Sequence, residues 1–256
     1  MQRIESVANN LYKNTKKLLA RSGRRKSGTF IIEGERIVKD AANGRAKLKY
    51  IFVNDSYLAN NSAEFEGITV YSLPDKLFEG VTDTVNTQGI LAVAEYTACD
   101  ISGIDYVSGR YLYLDSVSDP GNMGTIIRTA DAFGVKGIIL SDGCVDVYNP
   151  KVLRSTMSGI FNVPIYFDNG NVLDIFKENG FKIAGTFLDA DYLSNEFEYT
   201  DKCVIIMGNE ANGISKETED KCTHRITIPM TGGAESLNVS VACAVVLYEA
   251  FTEGRK

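Results

Sequence analysis

The second half of the chain contains a series of short apolar segments that alternate with helical stretches. A strand with one solvent-exposed face would alternate apolar and polar residues, but Val, Ile and Leu run almost without interruption here. The segments are YLYLDSV, GIILSD, VPIYFD, FKIAGTFL, CVIIMG and RITIPM. Continuous apolar strands separated by helices are typical of a parallel sheet covered on both faces, so the predicted fold class is α/β.

The first part of the chain shows a weaker alternation of helix and strand signals, which ends near Tyr96. Apolar residues recur at helical spacing from Ile4 to Leu19, and the segment SGRRKSG is expected to end that helix. A polar stretch that contains Gly and Ser separates the two parts of the chain. We therefore predict a small domain over residues 1–98, a linker over 99–109 and a larger domain over 110–256.

Positive charge is concentrated at the start of the chain. The 256 residues have a net charge of −6, but residues 1–49 carry +9 and the remainder carries −15. Basic blocks often bind phosphate backbones, which makes Arg24, Arg25 and Lys26 candidate contacts to nucleic acid. A solvated helix face and loop would have the same composition, so both interpretations stay open at this point.

The sequence predicts no metal site, no disulfide framework and no membrane-spanning segment. The five cysteines are widely spaced, form no C-x-x-C pair and are accompanied by a single histidine, His224. A structural zinc site needs four such ligands at close spacing, so no metal is predicted. No apolar run approaches the roughly 20 residues that span a bilayer. The first residues lack the apolar core of a signal peptide, so we expect a cytoplasmic protein.

One candidate site follows the first strand of the larger domain, in the stretch DPGNMGTIIRTA. Asn122 is a good helix N-cap residue, and Gly124 would let another backbone or a ligand come close. Arg128 lies on the same helical face as Gly124. An Arg near the ends of buried strands is costly to bury unless it meets a carboxylate or a phosphate. Arg128 therefore indicates either a structural ion pair or an anion-binding site.

A second candidate is the glycine loop that follows the strand CVIIMG. Gly208 and Gly213 have the spacing of a phosphate-binding loop, but Ile214 stands where the required lysine would be. This substitution argues against an ATPase. The same loop carries Glu210, a candidate carboxylate partner for Arg128.

A third candidate is the turn GGAESLN before the last helix. Ser236 is expected to cap that helix, because its hydroxyl can accept from a free backbone N–H group. Together with Asn238, it also offers donors and acceptors to a polar substrate.

Together these segments resemble the three signature motifs of the SpoU, or TrmH, family of RNA ribose methyltransferases. The motif NxGxxxR is matched by Asn122, Gly124 and Arg128. The GNE loop is matched by residues 208–210, and the motif IPM…SLNVSVA by residues 228–230 and 236–242. Three motifs in the family's order are a much more specific signal than any one of them. The stretch SGRRKSGTFIIEGERIV also resembles the substrate-binding domain that precedes the catalytic domain in many members.

The resemblance implies a trefoil-knotted, parallel-sheet methyltransferase domain preceded by a small α/β ribosomal-protein-like RNA-binding domain. It also implies a homodimer that uses S-adenosylmethionine, and the apolar last helix is long enough to pack against another subunit. By the family pattern, the cofactor lies against loop residues, several of which act through backbone groups. The matching positions are Thr186, Leu188, Gly208, Ile228, Met230 and Leu237.

The implied reaction is attack by a ribose 2′-hydroxyl on the methyl group of the sulfonium. The matched catalytic positions are Arg128, Asn122, Glu210, Ser236 and Asn238. We expect Arg128 to anchor an RNA phosphate and stabilise the developing alkoxide, since a guanidinium keeps its proton to a pKa above roughly 12. A neutral Arg acting as general base is the alternative. Glu210 and Asn122 are expected to hold the guanidinium of Arg128 in place. Ser236 and Asn238 are expected to orient the ribose.

The RNA substrate and the activity each have alternatives at this stage. The N-terminal domain favours ribosomal RNA and the branch that includes thiostrepton-resistance enzymes, whereas a transfer RNA methyltransferase is the alternative within the family. A catalytically idle RNA-binding or ribosome-assembly protein could use the same scaffold. A nucleotide-dependent oxidoreductase is disfavoured, because no G-x-G-x-x-G follows the first strand of either half.

Overall fold

A computed structural model of the protein describes residues 1–96 and 98–253. The chain forms two compact units, Met1–Thr97 with Asp146–Phe161 and Ala98–Val145 with Asn162–Lys256. Residues 146–161 therefore belong to the first unit, although residues of the second flank them on both sides. The sequence-based boundaries, 1–98, 99–109 and 110–256, stay a prediction. They assign residues 146–161 to the larger domain and do not distinguish this segment from the residues around it.

The described part of the first unit contains five strands and six α-helices. The strands are β1 (Gln2–Arg3), β2 (Thr29–Glu33), β3 (Leu48–Asn54), β4 (Val70–Leu73) and β5 (Ile90–Glu95). The helices, numbered in chain order, are α1 (Asn10–Lys17), α2 (Arg21–Ser27), α3 (Glu35–Asp40), α4 (Asp55–Asn60), α5 (Asp75–Phe78) and α7 (Pro150–Thr156). Helix α3 continues into a π-turn over Ala41–Arg45, where Gly44 has a φ of 91° that suits a glycine.

The strands of the first unit form one mixed sheet in the order β1-β4-β3-β5-β2. Strands β1 and β3 run parallel to β4, whereas β5 runs antiparallel to both of its neighbours. Side chains such as Phe30, Ile32 and Phe52 are fully buried around this sheet. Strand β1 was not predicted, because two exposed polar residues carry no strand signal.

The basic segment of the first unit is helical, so the expectation that SGRRKSG ends the helix is wrong. The break falls at Leu18–Ala20, and α2 runs through the segment to Gly28, which caps it with a φ of 63°. Arg24 is buried on this helix, with Nη2 placed 2.7 Å from Oδ2 of Asp146. Its Nη1 donates to the carbonyl oxygens of Leu18 and Leu19 at 2.8 and 2.9 Å.

These contacts correct the prediction that Arg24 binds RNA, because its guanidinium is already paired inside the first unit. We expect Arg24→Ala to lower the free energy of unfolding by about 3 kcal/mol, since it leaves Asp146 without its partner. Arg25 is exposed on the same helix and is the matched control. Urea unfolding of Arg25→Ala should stay within about 0.5 kcal/mol of the unmutated protein. Equal losses for the two variants would contradict a structural role for Arg24.

The described part of the second unit contains seven strands and four α-helices. The strands are β6 (Gly109–Leu114), β7 (Gly137–Leu140), β8 (Ile165–Phe167), β9 (Lys182–Thr186), β10 (Tyr192–Leu193), β11 (Lys202–Met207) and β12 (His224–Thr227). The helices are α6 (Pro120–Ala132), α8 (Val172–Glu178), α9 (Lys216–Glu219) and α10 (Val239–Glu253).

All seven strands of this unit run parallel, in the order β10-β12-β9-β11-β6-β7-β8. The predicted α/β class with a parallel sheet is therefore confirmed. Strands β6 and β11 lie at the centre and are almost completely buried, as their continuous apolar sequences require. Helix α6 packs against α10, and the ring of Phe133, which directly follows α6, lies 6.0 Å from that of Tyr248. Within residues 1–96 and 98–253, no helix combines the length and apolarity needed to cross a membrane.

The order of the strands brings four loops to one edge of the sheet. Strands β12, β9, β11 and β6 are consecutive neighbours, and the carboxyl ends of parallel strands lie at the same edge. The loops after these strands contain the three segments that carry the sequence motifs. Strand pairing therefore brings motifs together that are far apart in the sequence.

Candidate active site

The loops after β9, β11 and β12 meet at an open crevice of about 640 Å³. This size lies within the range of ligand pockets, which is roughly 300 to 1,000 Å³. The loops after β9, β11 and β12 supply most of its walls, and the beginning of α10 closes one side. Leu188, Met230 and Leu237 expose apolar side chains here, with exposed fractions of 69%, 38% and 38%. An apolar ligand surface would find contacts in this crevice.

Asn122 connects three of the loops through hydrogen bonds of its side chain. Its Oδ1 accepts a hydrogen bond of 2.9 Å from Nδ2 of Asn238, at the start of α10. Its Nδ2 donates to Oε1 of Glu210 at 3.0 Å, in the loop after β11. One amide thus ties the beginning of α6 to both other motif segments.

Asn122 is free to bridge because a different residue caps the helix. Asp119 is the N-cap of α6, and its carboxylate accepts from the backbone N–H of Asn122 at 2.8 Å. Pro120 occupies the first helical position, which places Asn122 in the first turn with its side chain available. The expectation that Asn122 caps the helix is therefore wrong.

The cap of the last helix also differs from the prediction. Helix α10 begins at Val239, and Oδ1 of Asn238 accepts from the backbone N–H of Ser240 at 2.9 Å. Asn238 therefore performs the capping that was predicted for Ser236, because the helix starts later than its apolar pattern indicates. Ser236 is exposed and lines the crevice.

The glycine loop after β11 is a tight, internally bonded turn. Asn209 and Gly213 exchange two backbone hydrogen bonds of 2.8 and 2.9 Å. Nδ2 of Asn209 donates to the carbonyl oxygen of Ser116 at 2.8 Å, which joins the turn to the loop after β6. A Cβ atom at Gly208 would lie 2.3 Å from the carbonyl carbon of Gly213. Glycine at 208 is therefore a steric requirement of this turn.

Comparison with known proteins identifies this arrangement. A family model described as the SpoU rRNA methylase family matches residues 109–248, and a model described as an MRM3-like substrate binding domain matches residues 9–92. The chain belongs to the SpoU rRNA methylase family. This membership confirms the predicted RNA methyltransferase and its N-terminal substrate-binding domain. The trefoil knot that the resemblance implies stays a prediction.

Relatives of this SpoU methylase match it over most of its length. The 23S rRNA (guanosine(2553)-2′-O)-methyltransferase RlmP of Bacillus subtilis is 36% identical over 249 residues, which cover 97% of this chain and 98% of RlmP. A 23S rRNA (uridine(2479)-2′-O)-methyltransferase of Streptomyces viridochromogenes is 32% identical, covering 69% of this chain and 64% of its own. The AdoMet-bound rRNA methyltransferase from Sinorhizobium meliloti has a TM-score of 0.86 at 29% identity, with 97% of each chain covered.

All six positions predicted for cofactor binding line the crevice of this SpoU methylase. They are Thr186, Leu188, Gly208, Ile228, Met230 and Leu237. Among the predicted catalytic residues, Glu210, Ser236 and Asn238 line it as well, and Asn122 contacts two of them. Their roles in binding and catalysis stay predictions.

Arg128 lies elsewhere on α6, exposed to solvent, and makes no hydrogen bond or ion pair with any residue in the described ranges. The expected pairing of Arg128 with Glu210 is wrong, because the two carboxylate oxygens of Glu210 have other donors. Oε2 accepts from the backbone N–H and hydroxyl of Ser118 at 3.1 and 3.0 Å, and Oε1 from Asp119 and Asn122. The guanidinium of Arg128 is thus available to a partner from outside this chain.

Glu210 is ionised over the whole physiological range. Partial burial raises the pKa of its carboxyl, but the hydrogen bond from Asn122 and those from backbone N–H groups outweigh burial and lower the pKa from 4.5 to about 2. A carboxylate with this pKa holds no proton near neutral pH. So low a pKa also makes Glu210 a weak base, so its carboxylate is suited to accept the hydrogen bonds that hold the loops together and poorly suited to take a proton from a hydroxyl.

We expect Glu210→Gln to lower the free energy of unfolding by about 1 kcal/mol at pH 7, because it removes charge-assisted bonds at an exposed position. The pKa is lower in the folded than in the unfolded state, so this contribution is complete above pH 4.5 and disappears as pH falls towards 2. Urea unfolding at neutral and acid pH measures the difference. Glu217→Gln is the control, since Glu217 is exposed on the adjacent α9. A loss of unfolding free energy that did not change with pH would contradict stabilisation by the ionised carboxylate of Glu210.

His224 does not contribute to this site. It lies at the amino end of β12, whereas the crevice lies beyond the carboxyl ends of the strands. Burial, with a smaller effect of Lys182, lowers the pKa of its imidazole. His224 is therefore not placed to act as a base in this crevice.

Two supporting residues of the site were not singled out from the sequence. Ser118 donates to Glu210 twice, as described above. Asp115 is buried, and its Oδ2 accepts from the backbone N–H of Ser215 at 2.7 Å, which fixes the far end of the glycine loop. Asp115 could have been found from the sequence, because it is an acidic residue directly after a buried strand. A carboxylate that is buried there needs a hydrogen-bond donor.

Proposed function

We propose that this protein transfers the methyl group of S-adenosylmethionine to a ribose 2′-hydroxyl of ribosomal RNA. The observation that carries the proposal is the crevice itself, where the six positions predicted for the cofactor lie together with Glu210, Ser236 and Asn238. RlmP and the Sinorhizobium meliloti enzyme, both named as rRNA methyltransferases, support the substrate class. Mapping 2′-O-methyl groups in ribosomal and transfer RNA from cells with and without the protein tests it.

Free backbone groups and apolar side chains in the crevice support binding of an adenosyl group there. Backbone groups of Ile228, Met230 and Leu237 make no hydrogen bond within the described residues, so they remain free for the polar edge of an adenine. The exposed side chains of Leu188, Met230 and Leu237 offer apolar contacts to its faces. The cofactor supplies an electrophilic methyl on a sulfonium.

The protein's own task is to place and activate the ribose hydroxyl. A free hydroxyl is a poor nucleophile at neutral pH and needs a base or electrostatic stabilisation. In our proposal Arg128 binds the neighbouring RNA phosphate and stabilises the alkoxide that develops, while Ser236 and Asn238 orient the ribose. The exposed, unpaired state of Arg128 supports this role, because its donors are free. Glu210 and Asn122 contribute by holding the loops in register.

We further propose a homodimer that acts in the cytoplasm. Helix α10 is apolar around most of its circumference, and only part of it faces the core. Val241 and Tyr248 on this helix are 50% and 56% exposed. Exposed apolar residues that cluster on one helix are typical of a contact between subunits. Light scattering coupled to size exclusion should give the mass of two chains.

Two exposed residues of α2 are proposed to bind the RNA backbone. Arg25 and Lys26 are exposed, unlike Arg24. We expect the double change Arg25→Ala/Lys26→Ala to weaken RNA binding. The slope of the logarithm of the binding constant against the logarithm of the salt concentration should become less steep by about two, one for each lost phosphate contact. Filter binding of ribosomal RNA at several salt concentrations measures both effects. Unchanged affinity at low salt would mean that these residues are only a solvated surface.

A further inference from the structure

A second cavity, of about 410 Å³, lies within the first unit. Its walls come from the beginning of α3, the loop before β5 and the end of α7. The polar side chains that line it include Arg36, Asn86, Gln88 and Arg154, and Met157 adds an apolar surface. None of these residues belongs to the motifs of the methyltransferase site.

Two Arg side chains, Arg36 and Arg154, and one carboxylate, Glu33, line the cavity. Arg36 is exposed and makes no hydrogen bond or ion pair in the described part of the chain. Arg154 donates from Nη2 to Asp83 at 3.0 Å, whereas its Nη1 is buried and has no hydrogen-bond partner. A buried guanidinium nitrogen without an acceptor is unfavourable, so an anion that reached it would supply the missing hydrogen-bond acceptor.

The carboxylate that lines the cavity is already engaged. Oε1 of Glu33 accepts hydrogen bonds from the hydroxyls of Thr82 and Thr84. Glu33 therefore organises the loop before β5 and has donors within the first unit, whereas Arg36 has no partner in the described residues. An anion with additional hydrogen-bonding groups matches this set of donors.

The cavity wall also presents apolar side chains and unusual backbone conformations. Met157 is 43% exposed, and Val85, next to the lining residue Asn86, is 98% exposed. Met157 and Ser158 have φ values of 49° and 74°, which are rare for residues other than glycine. The hydroxyl of Ser158 donates to Asp40 at 2.7 Å and holds this conformation. Backbone outliers of this kind cluster at ligand sites.

We propose that this cavity binds one unpaired nucleotide of the RNA substrate. Arg36 and Arg154 hold its phosphate, the amide of Asn86 reads an edge of its base, and Met157 packs against the base. Unpaired RNA bases are recognised in this way, by stacking on side chains and by hydrogen bonds to their edges. The inference rests on the proposed function, since it takes RNA as the substrate.

The test compares the double variant Arg36→Ala/Asn86→Ala with a matched pair, Asn43→Ala/Arg45→Ala. The matched pair removes the same two side-chain types from exposed positions of the first unit that do not line the cavity. The probes are a fluorescent single-stranded RNA decamer of mixed sequence and the same decamer without its bases. Fluorescence anisotropy gives the dissociation constants. Calorimetric binding of S-adenosylmethionine is measured in parallel to report on the other site.

We expect the cavity variant to bind the complete decamer about tenfold more weakly than the unmutated protein, and the decamer without bases less than threefold more weakly. The matched pair should change either constant by less than twofold. Binding of the complete decamer within twofold of the unmutated protein would overturn the proposal, as would an equal loss with the matched pair. Failure of the unmutated protein to bind RNA or S-adenosylmethionine would instead count against the proposed function.

Discussion

Arg128→Ala is expected to lower kcat for methyl transfer at least about 100-fold while the affinity for S-adenosylmethionine stays within twofold. Removal of one group that stabilises developing negative charge has an effect of this size. Arg128 is exposed, has no partner within the described residues and does not line the crevice, so its loss leaves the cofactor positions intact. Steady-state kinetics with ribosomal RNA and calorimetry with the cofactor measure the two quantities.

Two further variants separate the role of Arg128 from a general effect on α6. Arg128→Lys keeps the charge but loses the two-pronged geometry of the guanidinium, so we expect intermediate activity. Thr125→Ala changes an exposed residue one turn earlier on the same helix and should leave kcat unchanged. Turnover by Arg128→Ala at the rate of the unmutated enzyme would remove Arg128 from the mechanism.

Gly208→Ala should abolish measurable binding of S-adenosylmethionine. The added Cβ would lie 2.3 to 2.6 Å from backbone atoms of Gly213 and Ile214, and a backbone cannot move aside as a flexible side chain can. The turn would have to open, which separates Asn209 from Gly213 and displaces Glu210 from the loop after β6. Calorimetric titration with the cofactor measures the loss.

Gly232→Ala provides the matched control for this steric argument. A Cβ at Gly232 would have no atom within 4 Å, and its φ lies outside the left-handed region. We expect this variant to bind the cofactor within about twofold of the unmutated protein. If Gly208→Ala bound equally well, the tight turn would not be required for the site.

The sequence predicted the architecture well wherever long apolar patterns determine it. Strands such as β6 and β11 are buried on both faces, so their residues are apolar throughout and easily recognised. The two-residue strands β1 and β10 carry no such pattern, and neither was predicted. The placement of residues 146–161 in the first unit depends on long-range packing, which periodicity does not report.

The hydrogen-bond and ion-pair partners of the site residues were harder to predict than the residues themselves. Asn122 and Asn238 were identified through motif spacing, but the choice of Asp119 over Asn122 as cap depends on where α6 starts. Arg24 appeared as one of three equivalent basic residues, and its pairing with Asp146 links positions far apart in the sequence. Composition cannot distinguish a buried Arg from an exposed one when the partner lies in another segment.

The most direct measurement is transfer of tritiated methyl groups from S-adenosylmethionine to unmodified ribosomal RNA, followed by digestion of the RNA to nucleosides. The protein should place label in a 2′-O-methylnucleoside, and Arg128→Ala and Gly208→Ala should place almost none. Label found on a base, or no label with either ribosomal or transfer RNA, would contradict the assignment of this crevice as a ribose methyltransferase site.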